Sequence, residues 1–153
     1  FAEKTGHSGH FVQDNHSRSV RGVLRGVHFQ TGAAAQGKLV RATLGDVYDV
    51  AVDLRESSPT FGEWTGVWLT ADNKRQIWVP AGFGHAFLVA SEVAEVQYKV
   101  DAYYAADAER SLRWDDPAIG VDWPDVGAAV SLSDKDREAP DINLLKLEGD
   151  LFD

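Results

Sequence analysis

The chain contains no cysteine and no methionine. Without thiols it has no disulfides, no thiolate nucleophile and no Cys-ligated zinc or iron–sulfur cluster. That absence is compatible with a reducing compartment, and a cytoplasmic location is expected. Positive charge is scarce: Lys and Arg number 15 against 24 Asp and Glu, a net charge of −9. Neutralising phosphates takes a basic face, so nucleic acid is not expected as a partner. Nor is an anionic membrane surface. A small anionic ligand in a locally basic pocket stays compatible with this balance. The longest stretch without a charged residue, Gln76 to Ser91, has 16 residues and is interrupted by Pro80, Gly82 and Gly84. A membrane helix needs about 20 apolar residues, so none is expected. No basic segment leading into an apolar one opens the chain, and no signal peptide is read. With Phe1 at its head and no Met, the chain is expected to lack its natural start.

What is present suits one globular domain over residues 1–153, with 44% hydrophobic and 25% charged residues. At this length folding buries about 68–70% of the unfolded surface, enough for a core without staples. The dominant period is two. In Asp46–Leu54 one parity carries Tyr48, Val50, Val52 and Leu54 and the other Val47, Asp49, Ala51 and Asp53, the pattern of a half-buried strand. Further strands are expected at Gly22–Gln30, Lys38–Leu44, Glu63–Leu69, Arg75–Val79, His85–Ala90 and Glu95–Val100. Gly45-Asp46 reads as a hairpin turn, and the Gly/Ala-rich link Thr31–Ala35 makes Gly22–Gln30 and Gln36–Leu44 plausible hairpin partners. Strands punctuated by short turns, without long helices between them, indicate an antiparallel sandwich or barrel. Helix is expected only late, where Ser133 reads as an N-cap and Pro140 as a stop. The tail 141–153 mixes leucines with acids and reads as either a docking segment or a frayed end.

Of five histidines, His28 stands out inside a strand between Val27 and Phe29. An inward-facing strand histidine is either a hydrogen-bonded core residue or a general base, and the pattern alone leaves both open. Arg25 and His28 have opposite strand parity, so either a bulge intervenes or they do not share a pocket. The usual metal-ligand spacings, His-x-His with a carboxylate or His-Glu-x-x-His, do not occur, and no catalytic metal or other cofactor is expected.

Longer motifs go further. Phe11-Val12-Gln13-Asp14-Asn15-His16-Ser17, Gly22-Val23-Leu24-Arg25-Gly26-Val27-His28-Phe29-Gln30 and Gln36-Gly37-Lys38-Leu39-Val40-Arg41 are followed by Asp49-Val50-Ala51-Val52-Asp53, Ser58-Pro59-Thr60-Phe61-Gly62 and Arg75-Gln76-Ile77-Trp78-Val79-Pro80. With Glu95-Val96-Gln97-Tyr98-Lys99, Tyr103-Tyr104 and Trp114-Asp115-Asp116-Pro117, this series closely resembles the dTDP-4-dehydrorhamnose 3,5-epimerase family over roughly Phe11 to Asp136. The resemblance implies an all-β, cupin-like antiparallel jelly-roll barrel with a short C-terminal helical segment. It also implies a homodimer and a metal-free reaction on a dTDP-4-keto-6-deoxyhexose: proton abstraction beside the C4 ketone and reprotonation on the opposite face.

By motif position, His28 matches the family's general base and Asp136 the carboxylate paired with it. Tyr98 matches the proton donor on the other face, and Lys38 the cation near the ketone oxygen. Gln13, Asn15, Arg25, His85 and Lys135 match residues lining the nucleotide-sugar pocket. Glu109 matches a further contact, and Tyr104 an aromatic that stacks on thymine. An Arg and a Glu that touch substrate in the family are expected upstream of Phe1. Gly82-Phe83-Gly84-His85-Ala86-Phe87 departs from the family's common Gly-Phe-Ala-His-Gly-Phe. These differences together leave open inversion at C3, at C5 or at both, and a missing upstream segment would fit a non-catalytic nucleotide-sugar-binding barrel as the alternative.

Overall fold

A computed structural model describes residues 1–153. Nine strands make up the framework: β1 Gln13–Val20, β2 Leu24–Gln30, β3 Lys38–Leu44, β4 Asp46–Asp53, β5 Trp64–Thr70, β6 Ile77–Val79, β7 Phe83–Val89, β8 Val93–Val100 and β9 Glu109–Ser111. Three short helices join them, α1 Ala2–Thr5, α2 Asp134–Arg137 and α3 Ile142–Glu148. The strands form a four-stranded sheet ordered β1-β8-β3-β6 and a five-stranded sheet ordered β5-β4-β7-β2-β9, with antiparallel neighbours throughout. Apart from β4 and β5, every pair of consecutive strands lies in different sheets. This is the two-sheet jelly-roll architecture that the resemblance implies.

That topology corrects two expectations. Gly22–Gln30 and Gln36–Leu44 are not hairpin partners: β2 pairs β7 and β9, while β3 pairs β6 and β8. Gly45-Asp46 is a corner between the two sheets, not a hairpin turn. Gly45 sits at φ 67, and a Cβ there would fall 2.2 Å from both Ser91 Oγ and the Val93 carbonyl, so only glycine fits the corner.

The half-buried reading of β4 is also corrected, since Asp49–Asp53 are buried on both faces. Two apolar layers explain this. Between the sheets, Val40, Ala42, Val47, Leu69, Phe87, Val89, Ala94 and Val96 pack into one cluster. On the outer face of the five-stranded sheet, Val27, Phe29, Val50, Val52 and Leu54 pack beneath Ile142 and Leu145 of α3. The C-terminal tail is therefore a strap, tied by a parallel bridge between Phe152 and Arg55 and by the Arg110–Asp150 ion pair at 2.7 Å. The acids of the other parity are enclosed with partners: Asp53 takes Arg55, Ser58 and Thr60, and Asp49 takes His85. The inter-sheet cluster leaves one end of that space to polar side chains.

Candidate active site

The five-stranded sheet supplies one wall of that end. His28 on β2 and His85 on β7 are directly opposed across the strand pair. Their approach to Arg25 depends on a break in the β2–β7 register between Arg25 and His28, where Gly26 has φ 122. A Cβ on Gly26 would lie 2.5 Å from the His85 carbonyl oxygen, so the bulge needs glycine. The bulge settles the parity question. Arg25 and His28, on opposite parities of β2, line the same cavities.

The four-stranded sheet supplies the facing wall, with Lys38 from β3, Tyr98 from β8 and Ser17 from β1. With Arg25, His28, His85 and Phe87 they enclose a cavity of about 110 Å³. A second cavity of about 430 Å³ continues past Arg25 and His28 along Ser131–Ser133, Lys135 and Asp136.

Asp136 is buried on α2, and its Oδ1 lies 2.5 Å from His28 Nε2. Ser133 caps the helix by accepting from the Asp136 backbone N–H at 3.2 Å, and its hydroxyl donates to Asp136 Oδ2 at 2.9 Å. Capping thus falls to Ser133, which frees the Asp136 carboxylate for the imidazole. Burial pushes the Asp136 carboxyl up, but hydrogen bonds from His28 and Ser133, with the charges of His28 and Lys135, outweigh it and hold the group below its ordinary value. An ionised Asp136 accepts the Nε2 proton of His28, leaving Nδ1 as the acceptor nitrogen.

Lys38 is buried and donates to the His28 carbonyl at 3.1 Å. Burial lowers its ammonium to about 8, against the attraction of Asp49 and Glu109 and with the help of Lys135. Burial also raises the Tyr98 phenol, with Glu109 adding and Arg25 opposing, so Tyr98 stays protonated at neutral pH. His85 Nε2 meets both oxygens of the enclosed Asp49, at 3.0 and 2.9 Å. The chain's His, Asp and Glu side chains form no group of three arranged to hold a metal ion.

The remaining expected residues form a hydrogen-bonded rim. Gln13 donates to Asn15 at 2.9 Å and accepts from the Tyr104 backbone N–H at 3.3 Å. The Tyr104 hydroxyl donates to Glu109 at 3.0 Å, and Lys135 pairs with the same carboxylate at 2.6 Å. Burial raises the Glu109 carboxyl, but the Lys135 and Tyr104 hydrogen bonds, with the charges of Lys135 and His28, bring it below its ordinary value. Of this rim only Lys135 lines either cavity; Gln13, Asn15, Tyr104 and Glu109 stand beside them. Sequence reasoning missed Ser17 and Ser19, the latter accepting from Arg25 Nε at 3.2 Å, and read Asp49 only as a strand acid and Ser133 only as a helix cap. For Asp49 a signal existed, since it shares a strand parity with the apolar Val47 and Ala51.

The family model for dTDP-4-dehydrorhamnose 3,5-epimerase matches residues 1–143. A dTDP-4-dehydrorhamnose 3,5-epimerase of Pseudomonas aeruginosa is 59% identical over 138 residues, which cover 90% of this chain and 75% of its relative. One from Salmonella typhimurium is 55% identical over 140 residues, covering 92% and 76%. Among solved structures, a Legionella pneumophila dTDP-6-deoxy-D-glucose-3,5-epimerase in complex with dTDP-4-keto-L-rhamnose superposes with a TM-score of 0.93. It is 49% identical, and the match covers 99% of this chain and 79% of that one.

Proposed function

The chain belongs to the dTDP-4-dehydrorhamnose 3,5-epimerase family, an isomerase family of deoxysugar biosynthesis, and from that premise we propose how its own residues carry out the epimerisation. The substrate is a dTDP-4-keto-6-deoxyhexose, its sugar in the smaller cavity and its diphosphate toward Arg25 and Lys135. His28 Nδ1 takes the proton from a carbon beside the C4 ketone, while Asp136 holds the Nε2 proton and stabilises the imidazolium that forms. The electron pair left on carbon moves to the ketone oxygen, and the Lys38 ammonium stabilises that enolate. Tyr98, on the opposite wall, delivers its phenolic proton to the other face of the carbon. The resulting phenolate and imidazolium return to their starting states by exchange with water. The convergence of His28–Asp136 on one wall with Lys38 and Tyr98 on the other carries this reading.

The same reading makes the protein a homodimer, as the resemblance implies, and places it in the cytoplasm, which a chain without cysteine fits. It also takes the reaction to need no metal. Incubating the protein with dTDP-4-keto-6-deoxyglucose in deuterium oxide, with NMR readout at C3 and C5, tests the function. Deuterium at both carbons is expected of a 3,5-epimerase. Deuterium at one alone makes it a monoepimerase, and at neither a binding barrel.

A further inference from the structure

The mechanism above uses none of three buried acids: Asp53 and Asp116 are each held by more than one donor, and Asp49 is not. Asp49 is fully buried on β4, and its carboxylate has a single side-chain partner, the His85 ring. Burying a carboxylate with one partner is expensive, and an apolar side chain of similar volume commonly serves a fold at least as well. Stability alone gives no reason for an acid here, among Val47, Phe87 and Ala51. Its position gives one. Asp49 stands behind His85, and His85 lines the smaller cavity with His28, Lys38 and Tyr98. Because Nε2 faces the carboxylate, the ring turns its other nitrogen away from Asp49. Nδ1 makes no hydrogen bond within the protein, yet the one enclosed side-chain polar atom lacking a partner is Ser111 Oγ. His85 Nδ1 is therefore open to the cavity.

We propose that Asp49 is a positioning residue for the epimerisation: it holds the proton of His85 on Nε2, so that Nδ1 faces the sugar as a fixed hydrogen-bond acceptor for a substrate hydroxyl. This rests on the epimerase reading and adds a residue to it. The ring nitrogen not engaged by a carboxylate is the one left for substrate, and the carboxylate decides which that is. The pocket thereby contains two imidazoles oriented alike, His28 by Asp136 and His85 by Asp49. An asparagine at position 49 would keep the volume, but its amide N–H can donate to Nε2. The proton would then move to Nδ1, turning the acceptor facing the sugar into a donor.

Two measurements test this. The ¹⁵N spectrum of the His85 ring in the free wild-type protein should show a proton on Nε2, and Asp49→Asn should move it to Nδ1. In steady-state assays Asp49→Asn should lower kcat by about 10²-fold with KM changed less than about threefold, the signature of lost orientation rather than lost binding. The two residues should also be coupled. Once His85→Gln is in place, adding Asp49→Asn should cost less than about threefold more. A wild-type ring with Nε2 unprotonated would overturn the proposal, even if the Asn variant fails to fold. So would an Asn variant with undiminished kcat, or losses that multiply in the double variant. The ring is read without substrate, so that result stands apart from the epimerase reading, which fails only if wild-type protein exchanges neither carbon.

Discussion

At the scale of single residues, the proposed base and acid stand on facing sheets, His28 on β2 and Tyr98 on β8. Tyr98→Phe removes the hydroxyl and keeps the ring, so epimerised product should fall by at least about 10²-fold. Wash-in of deuterium from the His28 side should persist, and parallel loss of both would place Tyr98 in the abstraction step instead. Lys38 makes a pH prediction. In the proposed mechanism its ammonium stabilises the enolate, and it is lowered to about 8, so kcat should decline as pH rises through about 8. Between about 8 and the unfolded value of about 10.4, the unfolded chain binds the extra proton. Stability therefore gains from this residue as pH rises across that window, and the full desolvation penalty applies below it. Lys38→Met should abolish turnover yet raise stability at pH 7 by roughly 1–3 kcal/mol, measured by urea unfolding.

At the scale of elements, the β2 bulge and the α2 cap bring Arg25, His28, His85 and Asp136 together. Gly26→Ala meets both a positive φ and the His85 carbonyl, so it should cost about 2–4 kcal/mol and most of the activity. Wild-type stability and turnover in that variant would show the bulge to be dispensable. Ser133→Ala removes the α2 cap and one of the two hydrogen bonds on Asp136. We expect a loss of about 1 kcal/mol in thermal unfolding and a several-fold lower kcat. β1 shows how an element escapes a reading by hydrophobic period. Its inward residues Gln13, Asn15, Ser17 and Ser19 are as polar as its outward Asp14, His16 and Arg18: Gln13 bonds Asn15, Ser19 accepts from Arg25, and Ser17 lines the smaller cavity. The alternation exists only in burial.

At the scale of the whole molecule, the inter-sheet space divides into an apolar part and a polar-lined cavity, and the C-terminal strap covers the outer face of the five-stranded sheet. Leu145, buried against Val27, Phe29 and Val50, anchors that strap. Leu145→Ala should cost about 2–5 kcal/mol while leaving KM within about twofold, because the cavity it opens lies on the outer face. A large change in KM would mean that the strap shapes the pocket.

Local chemistry in the chain was enough to mark most strands, Ser133 as a helix start, and His28 as an inward residue of interest. Longer motifs added the family and the likeness of eleven site positions. Alternation and turn residues act within a few residues of one another, so they carry that much without a fold. They could not show that β2 and β3 lie in different sheets, since pairing partners are chosen by burial across the whole chain. Nor could they show that both faces of β4 are covered, because the covering helix begins at Ile142. The meeting of Arg25 with His28 hung on one glycine's backbone, and Asp49 became more than a strand acid only when β7 set His85 against it. Contacts between residues distant in sequence are properties of packing, and packing alone turned these side chains into a site.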